Sequence, residues 1–119
     1  MKILVVDDSV TMRRIICNSL KTSGYDDLVE AGDGIEALAN MEGIELVLTD
    51  WNMPNMDGLT YVKELKQSDV YKDIPIIMIT TEGGKGEVIE ALKQGVNNYI
   101  VKPFDKETLV EKVKATIGG

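Results

Sequence analysis

The sequence predicts an α/β fold, a doubly wound five-stranded parallel sheet with helices on both faces. Three observations predict it. Five short runs rich in Val, Ile and Leu alternate with stretches whose apolar residues recur at helical spacing. The runs are apolar almost throughout, as expected of strands buried on both faces. The connections between them are short, which suits β-α units packed in layers.

Each element has its own signals. Ile3-Leu4-Val5-Val6 reads as a buried strand. Residues 9–22 follow as a helix, with Met12, Ile15, Ile16 and Leu20 placed on one face. Asp8 or Ser9 can cap that helix and Gly24 stops it. A weaker second strand lies around Leu28-Val29-Glu30. Ile35, Leu38 and Met41 mark a second helix ending near Gly43. Leu46-Val47-Leu48-Thr49 is the third strand, and Leu59, Val62 and Leu65 give the third helix. Ile76-Ile77-Met78-Ile79 is the fourth strand, opened by Pro75 where a missing donor is tolerated. Val88, Ile89 and Leu92 give the fourth helix, closed by Gly95. Tyr99-Ile100-Val101 is the last strand, and Leu109, Val113 and Ile117 give the last helix. No stretch reads as a linker or a low-complexity tract, so one domain over residues 1–119 is expected.

Charge and composition narrow the function. The net charge is −7 and there is no histidine. A nucleic-acid-binding domain carries a basic stripe, whereas the basic pairs here are as short as Arg13-Arg14. Without histidine, Ser-His-Asp and Cys-His nucleophilic chemistry is excluded. A metal site must then use oxygen ligands, which suits Mg²⁺ or Ca²⁺ rather than Zn²⁺. Only four apolar residues, Ile3 to Val6, precede the charge at Asp7, too few for a signal-peptide core, and no run has transmembrane length. A cytoplasmic protein with no membrane or nucleic-acid partner is the expectation. The single cysteine, Cys17, sits on a helix with an apolar stripe and reads as structural.

The polar residues that end the strands carry the chemistry. In an open parallel sheet, ligands bind beyond the carboxyl ends of the strands. Strand one ends in Asp7-Asp8, strand three in Asp50, strand four in Thr80-Thr81 and strand five in Lys102. Clustered carboxylates repel one another unless a divalent cation sits among them. Mg²⁺ takes one or two carboxylates and leaves positions for phosphate oxygens. Lys102 supplies a compact positive charge, Thr80 a hydroxyl donor, and an Asp carboxylate can be a phosphoryl nucleophile. In-line phosphoryl transfer needs mostly positioning and charge neutralisation, and this inventory offers both. Gly83-Gly84-Lys85-Gly86 lacks the spacing of a nucleotide-binding loop.

Asp7-Asp8, Asp50, Thr80 and Lys102-Pro103 together resemble the receiver domain of two-component response regulators. The resemblance spans the whole chain. It is greatest to the chemotaxis regulators, through Thr11-Met12-Arg13-Arg14-Ile15, the run from Asp50 to Leu59, and Tyr99-Ile100-Val101-Lys102-Pro103-Phe104. It implies a flavodoxin-like (βα)5 sheet of strand order 2-1-3-4-5. It also implies that Asp50 is the phosphoacceptor, and that Asp7, Asp8, Asp50 and the Asn52 carbonyl hold Mg²⁺. Lys102 would pair with the phosphoryl group, Thr80 would hydrogen-bond it, and Tyr99 would be the aromatic switch. The family's Lys102-Pro103 bond is cis. Its output face is formed by helix four, strand five and helix five, here with Lys85, Val88, Tyr99, Val101 and Lys112. The implied phosphodonor is a histidine kinase. The implied target, for a chemotaxis regulator, is the flagellar motor switch, and a monomer is expected.

Two features depart from the family. Thr81 stands where a smaller residue is common, which bears on access to the phosphoryl group. The glycine-rich 83–86 segment implies a more mobile switch loop. Asn52 and Glu82 match the chemotaxis pattern at positions that tune loss of the phosphoryl group, so a short-lived phosphorylated state is expected. Met53 and Met56 read as packing and turn residues, and Trp51 as a packing residue and optical reporter. Other readings remain: a phosphorelay intermediate, a Mg²⁺-dependent phosphatase and a flavin carrier. A haloacid-dehalogenase-type phosphatase wants Asp-x-Asp after strand one and a cap domain. A flavin carrier wants a hydroxyl- and glycine-rich loop where Asp7-Asp8 stand. The expected protein is a switch that catalyses only its own phosphorylation and dephosphorylation.

Overall fold

A computed structural model describes residues 1–118. The elements run β1 (Lys2–Val6), α1 (Val10–Lys21), β2 (Asp27–Ala31), α2 (Gly34–Leu38), β3 (Leu46–Thr49), α3 (Gly58–Lys66), β4 (Ile76–Thr80), α4 (Lys85–Lys93), β5 (Asn98–Val101) and α5 (Lys106–Ile117). The five strands are parallel in the order β2-β1-β3-β4-β5, as the sequence and its resemblance imply. Among the described residues no helix is long and apolar enough to cross a membrane.

Alternation along the central strands builds two cores. Leu4, Val6, Val47, Ile76 and Met78 face one side, under Ala37, Tyr61, Val62, Leu65 and Ala91. Ile3, Val5, Leu46, Leu48, Ile77 and Ile79 face the other, under Ile16, Leu20, Leu109 and Val113. Successive strand side chains point to opposite faces, so runs without polar breaks fill both layers. Cys17 packs in the second core, and burial pushes its thiol pKa up. Trp51, Met53 and Met56 pack against the first core, as expected.

Three expectations about the helices need correction. Ile15 is exposed, because at 3.6 residues per turn it lies about 150° from the centre of the arc made by Ile16, Cys17 and Leu20. Arg13 takes a place on the inner arc instead, half-buried. The second helix stops at Leu38, short of Met41. The Asn40 amide takes the Glu36 carbonyl at 2.7 Å, and Asn40 N–H turns to Ala37 at 3.0 Å. A side chain has thereby replaced the next helical bond. Met41 still reaches the core from the turn, while Ile35 points outward. On α4 the buried residue is Ala91, whereas Ile89 and Leu92 are 43% and 47% exposed.

Ser9 rather than Asp8 caps α1, its hydroxyl accepting from Met12 N–H at 3.1 Å. This leaves the exposed Asp8 carboxylate to the sheet edge.

Candidate functional site

The sheet register assembles the site. Val6 pairs with Thr49, so the residues that follow, Asp7 and Asp50, leave the sheet side by side. Asp50 N–H bonds Val6 O at 2.9 Å and fixes that juxtaposition. Thr80 pairs with Val101, which brings Lys102 to the same edge, with Lys102 N–H on Thr80 O at 2.9 Å. Asp7, Asp8 and Asp50 each offer a carboxylate oxygen within 4.8 Å of the other two.

Lys102 reaches into this cluster. Its Nζ donates to Asp7 Oδ2 at 2.7 Å and to Asp50 Oδ2 at 3.1 Å. Both pairs are nearly closed to water, with side-chain exposures of 11% for Lys102, 2% for Asp7 and 11% for Asp50. Burial disfavours the ammonium, but Asp7 and Asp50 outweigh it, and the Lys102 pKa is raised. The second oxygens are also engaged. Asp7 Oδ1 accepts from Ser9 N–H at 2.9 Å and Asp50 Oδ1 from Trp51 N–H at 2.7 Å. The Lys102-Pro103 bond is cis.

The residues fit a divalent cation. The donor set is all oxygen, three carboxylates converge, and the net charge around them is negative even with Lys102 in place. Mg²⁺ is a hard ion that such oxygens suit.

Thr80 is fully buried, and its Oγ1 accepts from Glu82 N–H at 3.3 Å. Tyr99 is 9% exposed, and its hydroxyl donates to the Glu82 carbonyl. Glu82 thus joins the two on either side of one residue. Burial first, then the carboxylates of Glu82, Glu87 and Asp50, push the Tyr99 phenol up to about 12. Asn52 Nδ2 donates to Glu82 Oε1 at 2.8 Å, which links the two residues expected to set phosphoryl loss. Thr81 is exposed at the rim.

The expected output residues divide. Lys85 and Val101 are exposed, Val88 and Lys112 are half-buried, and Tyr99 is buried. Ile89 and Leu92 add exposed apolar surface to α4, which a helical-stripe argument had turned inward.

Two residues near the site were not given roles by sequence reasoning. Arg13 Nη1 donates to the Asp7 carbonyl at 2.6 Å while its Nε bonds Glu30 at 3.0 Å. An arginine on the inner arc of α1 was the available signal. Gly58 opens α3 so close to the site that a Cβ there would stand 1.9 Å from the Asp50 carbonyl oxygen. Only a glycine, following Asp57 at a helix start, fits that approach.

The family model for the response regulator receiver domain matches residues 3–114. A chemotaxis protein CheY homolog of Campylobacter jejuni is 57% identical over 99% of this chain and 93% of its own length. Chemotaxis protein CheY1 of Helicobacter pylori is 56% identical over 99% of this chain and 98% of its own. Among solved structures, the response regulator CheY4 of Vibrio cholerae has a TM-score of 0.89 at 36% identity, covering 97% of each chain. A CheX–CheY–BeF3–Mg²⁺ complex of Borrelia burgdorferi has a TM-score of 0.92 at 30% identity, covering 98% of this chain and 89% of that one. With five parallel strands in the order 2-1-3-4-5 and a match over nearly its whole length, the chain belongs to the response regulator receiver domains, CheY-like proteins of two-component signalling.

Proposed function

We infer that Asp50 accepts a phosphoryl group from a histidine kinase, with Mg²⁺ held by Asp7, Asp8, Asp50 and the Asn52 carbonyl, and that this switches a protein-binding face. The observation that carries the reading is the Lys102 ammonium shared between Asp7 and Asp50, beside a third carboxylate. A carboxylate oxygen of Asp50 attacks phosphorus as the P–N bond to the donor histidine breaks, and the imidazole leaves. Mg²⁺, when bound, neutralises charge on the phosphoryl oxygens. Lys102 is tethered between the two carboxylates and needs only a short swing to meet the phosphoryl group. Thr80 Oγ1 accepts from Glu82, so its own proton is free to be donated to a phosphoryl oxygen.

Glu82 passes the event on. Its N–H holds Thr80 and its carbonyl holds Tyr99, so a shift of Thr80 toward Asp50 pulls on the segment that anchors Tyr99. Tyr99 and the exposed Val101 lie on β5, and α4 carries the exposed Ile89 and Leu92. The names of the chemotaxis relatives support a role in chemotaxis; on this reading a monomer binds a flagellar motor switch protein through its output face. The chemistry is stoichiometric self-phosphorylation and its reversal rather than turnover of a substrate.

Phosphorylation by a small phosphodonor, read by intact mass with and without Mg²⁺, tests this reading. The wild type should gain one phosphoryl group only with Mg²⁺, and Asp50→Asn none. A variant that gains the group at the wild-type rate removes Asp50 from the mechanism. A phosphorylated form persisting for hours refutes the fast loss expected from Asn52 and Glu82.

A further inference from the structure

The segment between Asp50 and α3 carries Asn52, and its shape is held from outside. Asn55 has φ of +67°, a left-handed conformation that a side chain rarely adopts unsupported. Its Nδ2 donates to Asp33 Oδ2 at 2.6 Å, across to the loop after β2. The other Asp33 oxygen, Oδ1, accepts from Glu36 N–H at 2.8 Å as the N-cap of α2. Beside this, Gly34 N–H donates to the Met56 carbonyl at 3.1 Å. The Met56 side chain lies where a Gly34 Cβ would stand, 2.7–2.9 Å from its atoms. One carboxylate therefore ties the metal-side loop to a neighbouring helix.

An N-cap needs only one of these oxygens. The second engages a residue 22 positions away, in the loop that must aim the Asn52 carbonyl. The Asp33 carboxyl pKa is lowered, by the Glu36 N–H first and the Asn55 amide second, so the carboxylate is in its charged form when it makes both bonds.

The geometry points to Asp33 as a positioning residue that, through Asn55, pre-orders the Asp50–Gly58 loop for Mg²⁺. This rests on the phosphoacceptor reading. Asp33 touches neither metal nor phosphoryl group; it removes conformations in which the Asn52 carbonyl turns away.

Two variants separate this role from simple capping. Asp33→Ser keeps a capping oxygen and has none left for Asn55. Asn55→Gly keeps the positive φ and removes the amide. Mg²⁺ affinity is read by titrating Trp51 fluorescence, and loop order by amide hydrogen exchange at Asn52 and Met53 in metal-free protein. Each variant should bind Mg²⁺ on the order of 10-fold more weakly, as loss of an outer-shell support does. Exchange at Asn52 and Met53 should accelerate, and the double variant should lose no more than either single one. Wild-type affinity in both variants overturns the clamp, as does a double variant whose losses add. Lower stability of Asp33→Ser with unchanged Mg²⁺ affinity reduces Asp33 to a cap and overturns it too. A wild type with no Mg²⁺-dependent signal overturns the phosphoacceptor reading together with this one.

Discussion

Replacing Lys102 by methionine removes a charge while keeping most of the stem volume. The ammonium stands 2.7 Å from Asp7 and 3.1 Å from Asp50. At an effective dielectric of ~20 those separations correspond to gross attractions of about 6 and 5 kcal/mol. Desolvation of three nearly buried groups takes back much of this, so the pairs are worth far less in net terms. What the substitution leaves is the informative part. Asp7 and Asp50 remain buried, within 4.8 Å of each other and of Asp8, with no cation among them. Like charges at that separation repel by about 3 kcal/mol at the same dielectric. Stripping one partner from a buried pair costs about 3–5 kcal/mol, and the variant should fall in that range at neutral pH. Urea unfolding followed by Trp51 fluorescence measures it. Millimolar Mg²⁺ should narrow the gap, because the ion replaces the missing charge and stabilises the variant more than the wild type. Equal unfolding midpoints for the two proteins would refute the reasoning. So would a gap that Mg²⁺ leaves unchanged.

Other perturbations follow from single contacts. Gly58→Ala drives a methyl against the Asp50 carbonyl; it should cost more than ~2 kcal/mol in unfolding experiments and slow phosphorylation. Ser9→Ala removes the α1 cap and should cost about 1 kcal/mol by the same measurement. Tyr99 holds its proton more tightly folded, up to about 12 against 10.0 unfolded. Its contribution to stability is therefore complete below pH 10 and lost as pH rises through about 12. Burial also raises the Tyr61 phenol, and, against burial, Asp7 and Asp50 raise Lys102, so Tyr99→Phe should reduce that slope without abolishing it; a Phe variant with the full wild-type slope would show that Tyr99 contributes nothing to it. The exposed 83–86 segment should exchange its amides faster than the interior of α4; exchange as slow as in the neighbouring helices would count against a mobile switch loop.

The strands were legible because burial on both faces demands unbroken apolar runs, and Leu46-Val47-Leu48-Thr49 and Ile76-Ile77-Met78-Ile79 supply them. The site's members were legible because a parallel sheet puts the residues that follow its strands on one edge, so Asp7, Asp8, Asp50, Thr80 and Lys102 could be grouped from order alone. Helix faces were less so. Ile15, Ile89 and Leu92 are apolar, yet the small Ala91 and the long Arg13 hold the inward places. Periodicity counts apolar residues; the distance between helix and sheet decides which sizes fit. The end of α2 was hidden in the competition between the Asn40 side chain and its own backbone for a carbonyl.

The sequence by itself determined the fold class, the strand ends and the chemical inventory beyond them, because strand burial and residue chemistry are local properties. The contacts among those groups were decided by the tertiary structure alone. The shared Lys102 ammonium, the Glu82 carbonyl bond to Tyr99 and the Asp33 tie to Asn55 join segments far apart in the chain, while the space that only Gly58 leaves opens against the Asp50 carbonyl at the other end of one loop. Such contacts depend on register and on ångström-scale packing, which no residue pattern along one strand or helix encodes.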